Sequence, residues 1–202
     1  MMKSYLLGID IGTSACKVAV FDRNGKVLAA ASGDYPVYYP HEGWAEQNPE
    51  EWWDAVCRAT KETIQKADIT ADEIAGIGID GQSWSAIPID REGNVLANTP
   101  IWMDTRAQSI CDRLNQEIGQ EEIFEVAGNS LQPSYSTAKI LWYKENLPEV
   151  YAKIHKILQS NSYIAFKLTG AITQDVSQGY GLHCFNMKKG CWDEKMCERL
   201  GI

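Results

Sequence analysis

The sequence has few basic residues, no long apolar run and no paired cysteine motif. Its 202 residues include 19 Lys and Arg against 27 Asp and Glu, a formal net charge of -8. Because the basic residues form no cluster, we expect no nucleic-acid partner. No segment approaches the roughly 20 apolar residues of a membrane span, and the N-terminus lacks a signal-peptide pattern. The sequence therefore predicts a cytoplasmic protein without a membrane partner.

Cysteine usage argues against a metal site and against a disulfide framework. The six cysteines are scattered, with no C-x-x-C pair and no matching histidine spacing. This pattern favours reduced, structural thiols. They are Cys16, Cys57, Cys111, Cys184, Cys191 and Cys197. The 45% hydrophobic content is sufficient for the core of one large domain.

Strand and helix patterns alternate along the chain. Two strand-like runs flank Gly12-Thr13-Ser14, and a turn at Asp22 to Gly25 leads into a third, which predicts an antiparallel meander. Asn48 followed by Pro49 and two glutamates predicts a helix start. Later segments predict a strand over 74–81, helices over 106–118, 121–127, 137–146 and 148–154, a strand over 156–160, a helix over 161–170 and a last helix after Asp193.

The first strand-like run, Leu6 to Ile11, carries Asp10 near its end, separated by one residue from the Gly12-Thr13-Ser14 turn. Such a turn can present backbone N–H groups and hydroxyls to a phosphate. Asp10 would be repelled by phosphate, so its predicted role is to hold Mg²⁺ through water beside a nucleotide. Lys17, on the next strand, faces either the same phosphates or solvent. Taken alone, this short pattern is also typical of an ordinary hairpin.

The surrounding segments make the pattern more specific. "GIDIGTSACKVAVFDRNGKVLA" resembles the first phosphate motif of the sugar kinase, heat-shock ATPase and actin superfamily. Together with "GWAEQNPEEWWDAV", "IGIDGQSWSAIPIDREGNVL", "PIWMDTRA", "AKILWYKENLPEVYAKI" and "KLTGAITQD", the chain resembles the N-terminal domain of the FGGY carbohydrate kinases. The resemblance implies an α/β, actin-like (ribonuclease H-like) domain: a mixed sheet begun by an antiparallel meander, with helices on both faces. It also implies the cofactors ATP and Mg²⁺.

Within that family, "GQSW" followed by "PIWMDTRA" is more similar to xylulokinase-type members than to glycerol kinases, which carry Asn-Gln-Arg-Glu. The resemblance places Gln82, Ser83 and Trp84 on the sugar-binding turn, and Trp102 and Asp104 on the strand end that lines the sugar cleft. It implies phosphorylation of a ketopentose, D-xylulose above all, to the 5-phosphate. Packing inside the protein is the alternative role of Trp84. Pairing with Asp104, or fixing the helix start, is the favoured role of Arg106.

The family's general base and adenosine site lie beyond the position that matches Ile202. Asp175 matches a different position and is read mainly as a structural carboxylate. We therefore expect residues 1–202 to be the N-terminal sugar-binding and first phosphate domain, separated from its C-terminal ATP-binding domain and inactive alone. Two alternative functions remain: a kinase for another polyol or sugar acid (glycerol, gluconate or a hexulose), and a non-catalytic sugar-binding module. The sequence also allows a homodimer.

Overall fold

The computed structural model describes residues 4–202, and the remaining residues of the predicted domain, 1–3, lie outside the described part. Residues 5–81 form a three-stranded meander, a short strand, a long helix and a fifth strand, with bounds β1 Tyr5–Ile11, β2 Ala15–Phe21, β3 Val27–Asp34, β4 Glu46–Gln47, α1 Pro49–Lys66 and β5 Ile74–Gly81. The predicted meander is confirmed. Asn48 caps α1 as predicted, since its side chain accepts a hydrogen bond from the backbone N–H of Glu50.

The remaining elements are shorter. Their bounds are β6 Ile87–Ile89, β7 Thr99–Pro100, α2 Gln108–Leu114, a π-helical turn Asn115–Gly119, α3 Gln120–Ala127, α4 Ser136–Asn146, α5 Pro148–Tyr151, β8 Lys156–Leu158, α6 Ser160–Thr169, β9 Phe185–Asn186, β10 Cys191–Trp192 and α7 Glu194–Leu200. The predicted helix over 106–118 is in fact α2 plus the π-helical turn. Gly170 ends α6 with φ of 73°, as its predicted role as a helix stop requires.

The main sheet has the strand order β3-β2-β1-β5, antiparallel except for the parallel pair β1 and β5. The mixed sheet implied by the sequence is therefore confirmed. Alternate residues of β1 (Leu7, Ile9 and Ile11) are buried in a core that also contains Trp52 of α1 and Tyr163 of α6. Both helices thus pack on the same face of the sheet.

The opposite face of the sheet is open. The resemblance implies helices on both faces, whereas α1 and α6 cover only the face that presents Leu7, Ile9 and Ile11. Leu6 and Asp10, which alternate with those residues, are exposed. Because strand side chains alternate between faces, one face of this sheet is apolar core and the other is accessible surface.

A second core cluster lies under α2, α3, α4 and α7. It is built from buried residues of these helices and of the segments between them: Ala86, Ala107, Ile110, Cys111, Leu114, Ile118, Ile123, Leu131, Ala138, Ile140, Leu141, Trp142, Tyr143, Cys184, Met196 and Leu200. All six cysteines are free thiols, as predicted. None of the helices in residues 4–202 combines the length and apolar character needed to cross a lipid bilayer.

Candidate active site

The turn between β1 and β2 directs its carbonyls inward. The Tyr35 hydroxyl donates to the Gly12 carbonyl at 2.6 Å, and Gln47 Nε2 donates to the Thr13 carbonyl at 2.8 Å. The backbone N–H groups of Thr13 and Ser14 have no hydrogen-bond partner among residues 4–202. In this turn the carbonyls accept hydrogen bonds from side chains of the protein, and the backbone N–H groups stay free. Such a turn is suited to binding an anion. Tyr35 and Gln47, distant in sequence, were not anticipated.

Asp10 lies beside this turn on the open face of the sheet. Strand register pairs it with Lys17 on β2 and with Asp80 on β5, so the three side chains form a row. All three are exposed and line a depression of about 620 Å³. Asp80 was not anticipated, although it also ends a strand. Lys17 shares the face of Asp10, which leaves both of its predicted orientations open.

The carboxylates of this row fit a magnesium ion. Mg²⁺ is commonly held through one or two carboxylates and water, together with substrate phosphates. Asp10 and Asp80 supply two carboxylates on neighbouring strands, next to a turn suited to phosphate. Within residues 4–202 no group of three or more His, Cys, Asp or Glu side chains could form a full protein cage for a metal. Any magnesium bound here would therefore depend on the phosphates.

Two of the predicted sugar residues contact the predicted phosphate turn, Gly12-Thr13-Ser14 between β1 and β2. Trp102 Nε1 donates to Thr13 Oγ1 at 3.0 Å, and the Trp102 side chain is 44% exposed. Gln82 Nε2 donates to Gln47 Oε1 at 2.8 Å, and Gln47 in turn holds the Thr13 carbonyl. Gln82 Oε1 is buried and has no hydrogen-bond partner in the described part of the chain. The structure therefore brings Gln82, Trp102 and the turn together.

Trp84 lies in an aromatic cluster. Its ring is 4.7 Å from Tyr135 and 5.8 Å from Tyr180, measured between ring centroids. Its backbone has a positive φ of 68°, which is uncommon for a residue with a side chain. Ser83, between Gln82 and Trp84, is half-buried. Trp84 is half-buried, so it packs inside the protein and is also partly accessible. Tyr180, which was not predicted, also belongs to this aromatic cluster.

Asp104 occupies a different environment from the predicted one. Its carboxylate is fully buried and accepts hydrogen bonds from the Ala45 backbone N–H at 2.7 Å and from Arg106 Nε at 2.9 Å. Arg106 also bonds Glu46 at 2.8 Å and stacks on the Trp44 ring at 3.8 Å. The favoured pairing of Arg106 with Asp104 is confirmed. The structure does not bring Asp104 into the cleft beside Trp102.

Asp175 caps a 3₁₀ turn over Val176–Gly181. Burial opposes its ionisation, but hydrogen bonds from Ser177, Asn161 and the Gln178 backbone N–H outweigh it and lower the pKa of Asp175. A carboxylate with a lowered pKa is a poor proton acceptor near neutral pH. The structural role favoured from sequence agrees with these contacts.

His183 lies behind the aromatic cluster, with its ring centroid 5.2 Å from that of Tyr135. Burial lowers the pKa of His183 to about 4, against a hydrogen bond with the Ser130 carbonyl that raises it. The unfolded chain binds a proton near pH 6.5, whereas the folded chain resists it until about pH 4. Between these values only the unfolded chain takes up the proton. The free energy of unfolding is therefore not reduced by His183 above pH 6.5, and it decreases as the pH falls from 6.5 towards 4.

We expect acid to lower the free energy of unfolding through His183 by up to about 3 kcal/mol between these pH values. Urea unfolding measured across this range should show a smaller slope against pH for His183→Gln than for the unsubstituted chain. His41→Gln, at an exposed histidine, serves as the matched control and should keep the original slope. Equal slopes for His183→Gln and the unsubstituted chain would contradict the assignment.

The fold and the site together define a class. A three-stranded meander with a Gly-Thr-Ser turn between its first two strands, joined in one mixed sheet to a parallel strand, is the arrangement of actin-like ATPase domains. The solved gluconate kinase of Lactobacillus acidophilus superposes with a TM-score of 0.91 at 31% identity, covering 98% of this chain and 40% of that one.

The chain belongs to the FGGY family of carbohydrate kinases, whose N-terminal domain profile matches residues 5–202. It is 32% identical to the xylulose kinase of Bacillus subtilis over 98% of this chain and 40% of the relative. It is 31% identical to the glycerol kinase of Thermococcus gammatolerans over 100% of this chain and 41% of the relative. The chain thus spans about 40% of the length of the curated relatives it matches.

Proposed function

We propose that this chain is the sugar-binding and first phosphate domain of an ATP-dependent kinase that phosphorylates a ketopentose, D-xylulose above all. The observation that carries the proposal is the direct contact between the phosphate turn and predicted sugar residues. Trp102 bonds the Thr13 hydroxyl, and Gln82 is linked through Gln47 to the Thr13 carbonyl. A transferred phosphoryl group must lie between nucleotide and sugar, so the two sites must adjoin.

In the proposed reaction a primary hydroxyl of the sugar attacks the γ-phosphate of ATP in line. The free amides of Thr13 and Ser14 bind phosphate oxygens, and Asp10, with Asp80 beside it, would hold a magnesium ion. Magnesium, when bound, neutralises charge on the transferring group. Gly12 permits the backbone to approach the phosphates closely, since it has no side chain. The general base is expected from the C-terminal domain.

The residues of the sugar turn favour an uncharged substrate. Gln82, Ser83, Trp84 and Trp102 carry no charge, and the nearby Arg106 is fully engaged with Asp104 and Glu46. Amide and hydroxyl groups beside aromatic faces suit the hydroxyl and C–H sides of a neutral sugar. A sugar acid such as gluconate would find no free cation on this turn. The identity to xylulose, glycerol and gluconate kinases is similar, so the choice of substrate is left to experiment.

The open face of the main sheet supports the proposal that a second domain packs against this one. It exposes the apolar side chains of Leu6 and Val27, and β5 forms one of the two edges of the main sheet. Exposed apolar surface and a free strand edge are usually covered in a finished structure. The C-terminal part of the kinase is the proposed cover, and closure of two domains over the cleft would exclude water from the transfer.

The test is a phosphorylation assay with ATP, Mg²⁺ and a panel of D-xylulose, glycerol, gluconate and a hexulose. We expect no turnover by the 202-residue chain, and turnover when a C-terminal domain of the family follows it, with kcat/KM highest for D-xylulose. Turnover by the short chain would contradict the need for a second domain. A preference for gluconate would contradict the neutral-substrate argument, and no turnover of any sugar by the long form would contradict the kinase.

A further inference from the structure

One face of α4 buries three polar side chains at helical spacing. Ser136, Lys139 and Tyr143 are at most 1% exposed and lie on the same side of the helix. Each donates to a carbonyl of one short segment. Lys139 Nζ bonds the Trp84 carbonyl at 2.7 Å, Ser136 Oγ bonds that of Ser85 at 3.0 Å, and the Tyr143 hydroxyl bonds that of Ala86 at 3.1 Å. Burying polar groups is costly unless they are paired, and here all three are paired.

The segment that α4 holds has an unfavourable backbone. Trp84 adopts φ of 68°, and such left-handed residues persist only where the surroundings fix them. The Trp84 N–H donates to Gln159 Oε1 at 3.1 Å, so the residue is held on both sides. Its ring lies directly against Gly181, where an added Cβ would stand 2.6 Å from Trp84 Cδ1. The position of the Trp84 ring therefore depends on these long-range contacts.

Lys139 connects two loops of the site. Besides the Trp84 carbonyl, its Nζ donates to the Ser134 carbonyl at 2.7 Å. The first loop carries the Trp84 ring, and the second carries the Tyr135 ring, which follows Ser134 and contacts Trp84. Lys139 is fully buried, and no carboxylate in residues 4–202 forms an ion pair with it. A buried cation shared by two loop carbonyls fixes the distance between the loops.

We propose that Lys139 is a positioning residue for the sugar site, which ties the Trp84 turn to the Ser134 loop and thereby sets the aromatic wall that the sugar meets. The proposal rests on the proposed function only for the identity of the ligand. Lys139 itself contacts carbonyls, so its effect on a sugar passes through Trp84 and Tyr135.

This role carries a dependence on pH. Burial lowers the pKa of Lys139 to about 7, with Asp104 raising it and Arg106 lowering it to lesser degrees. Burial also lowers the pKa of the nearby His183 to about 4 and raises the pKa of Tyr135, which moves both away from this range. A charged ammonium forms stronger hydrogen bonds than a neutral amine. The wall is therefore held more firmly below pH 7 than above it.

The test uses fluorine NMR of the 202-residue chain labelled with 5-fluorotryptophan, with the Trp84 signal assigned from Trp84→Phe. We expect that signal to shift with pH around a midpoint near 7. Lys139→Met should move the Trp84 signal and abolish its titration, and should raise the Kd for D-xylulose roughly tenfold through the lost hydrogen bonds. Lys144→Met, at an exposed lysine of the same helix, is the control and should change neither quantity.

A folded Lys139→Met with the original Trp84 signal, or with the original Kd, would overturn the proposal. If that variant fails to fold, Lys139→Arg is measured in its place: a displaced Trp84 signal supports the proposal, and an unmoved signal overturns it. The NMR measurement needs no sugar. Failure of the unsubstituted chain to bind any sugar would therefore count against the proposed function. The Trp84 signal would still test whether Lys139 positions the Trp84 ring.

Discussion

Asp104→Asn is expected to lower the free energy of unfolding by about 3 to 5 kcal/mol, as the removal of one partner of a buried ion pair does. Asp104 is fully buried, and the Arg106 side chain is only 3% exposed. The substitution leaves the guanidinium with Glu46 alone, itself 16% exposed. It also replaces an acceptor of the Ala45 backbone N–H by an amide that cannot satisfy every donor around it. Urea unfolding followed by circular dichroism measures the change.

Glu145→Gln is the matched control, because Glu145 pairs with Arg113 on the surface. Both side chains of that pair are more than a third exposed, so we expect a loss below about 1 kcal/mol. The comparison also separates two roles of Asp104. If Asp104 bound the sugar, Asp104→Asn would lower sugar affinity and leave the free energy of unfolding nearly unchanged. If Asp104 is structural, the free energy of unfolding falls first. An unchanged urea midpoint for Asp104→Asn would contradict the structural role.

Features with a local cause could be predicted from the sequence. The β1 to β3 meander follows from alternating apolar residues and the Asp22 to Gly25 turn, and the α1 start follows from Asn48 and Pro49. The turn between β1 and β2 was also predicted, because Gly12-Thr13-Ser14 interrupts two apolar strand-like runs; its binding of an anion stays a prediction. In each case the residues that determine the conformation are neighbours in the chain.

Features set by distant partners could not be predicted. Gln47 supports the Thr13 carbonyl across 34 positions, and Lys139 supports the Trp84 carbonyl across 55. Neither residue has a sequence neighbour that signals the contact. The family resemblance placed Trp102 and Asp104 together on a strand end that lines the sugar cleft. The chain turns between them, so Trp102 stays accessible while Asp104 enters the interior.

In the proposed kinase, with a C-terminal domain of the family following this chain, Asp10→Asn is expected to lower kcat on the order of a thousandfold while sugar affinity stays nearly unchanged. Asp10 is exposed on the open face beside the phosphate turn, and it makes none of the contacts that hold the sugar turn. The amide has the size of the carboxylate but not its charge, so it orients magnesium poorly when charge develops on the transferring group. Steady-state kinetics with varied Mg²⁺ and sugar measure both quantities.

Trp102→Phe should give the opposite pattern and serves as the comparison. It removes the indole N–H that bonds the Thr13 hydroxyl and part of the aromatic surface, so KM for the sugar should rise more than kcat falls. Trp192→Phe, at an exposed tryptophan in β10, should leave both constants unchanged. An unchanged kcat in Asp10→Asn would remove its role towards magnesium. Because Asp80 lies beside Asp10 on the next strand, partial loss in Asp10→Asn and full loss in the double variant with Asp80→Asn would show that both carboxylates share the ion.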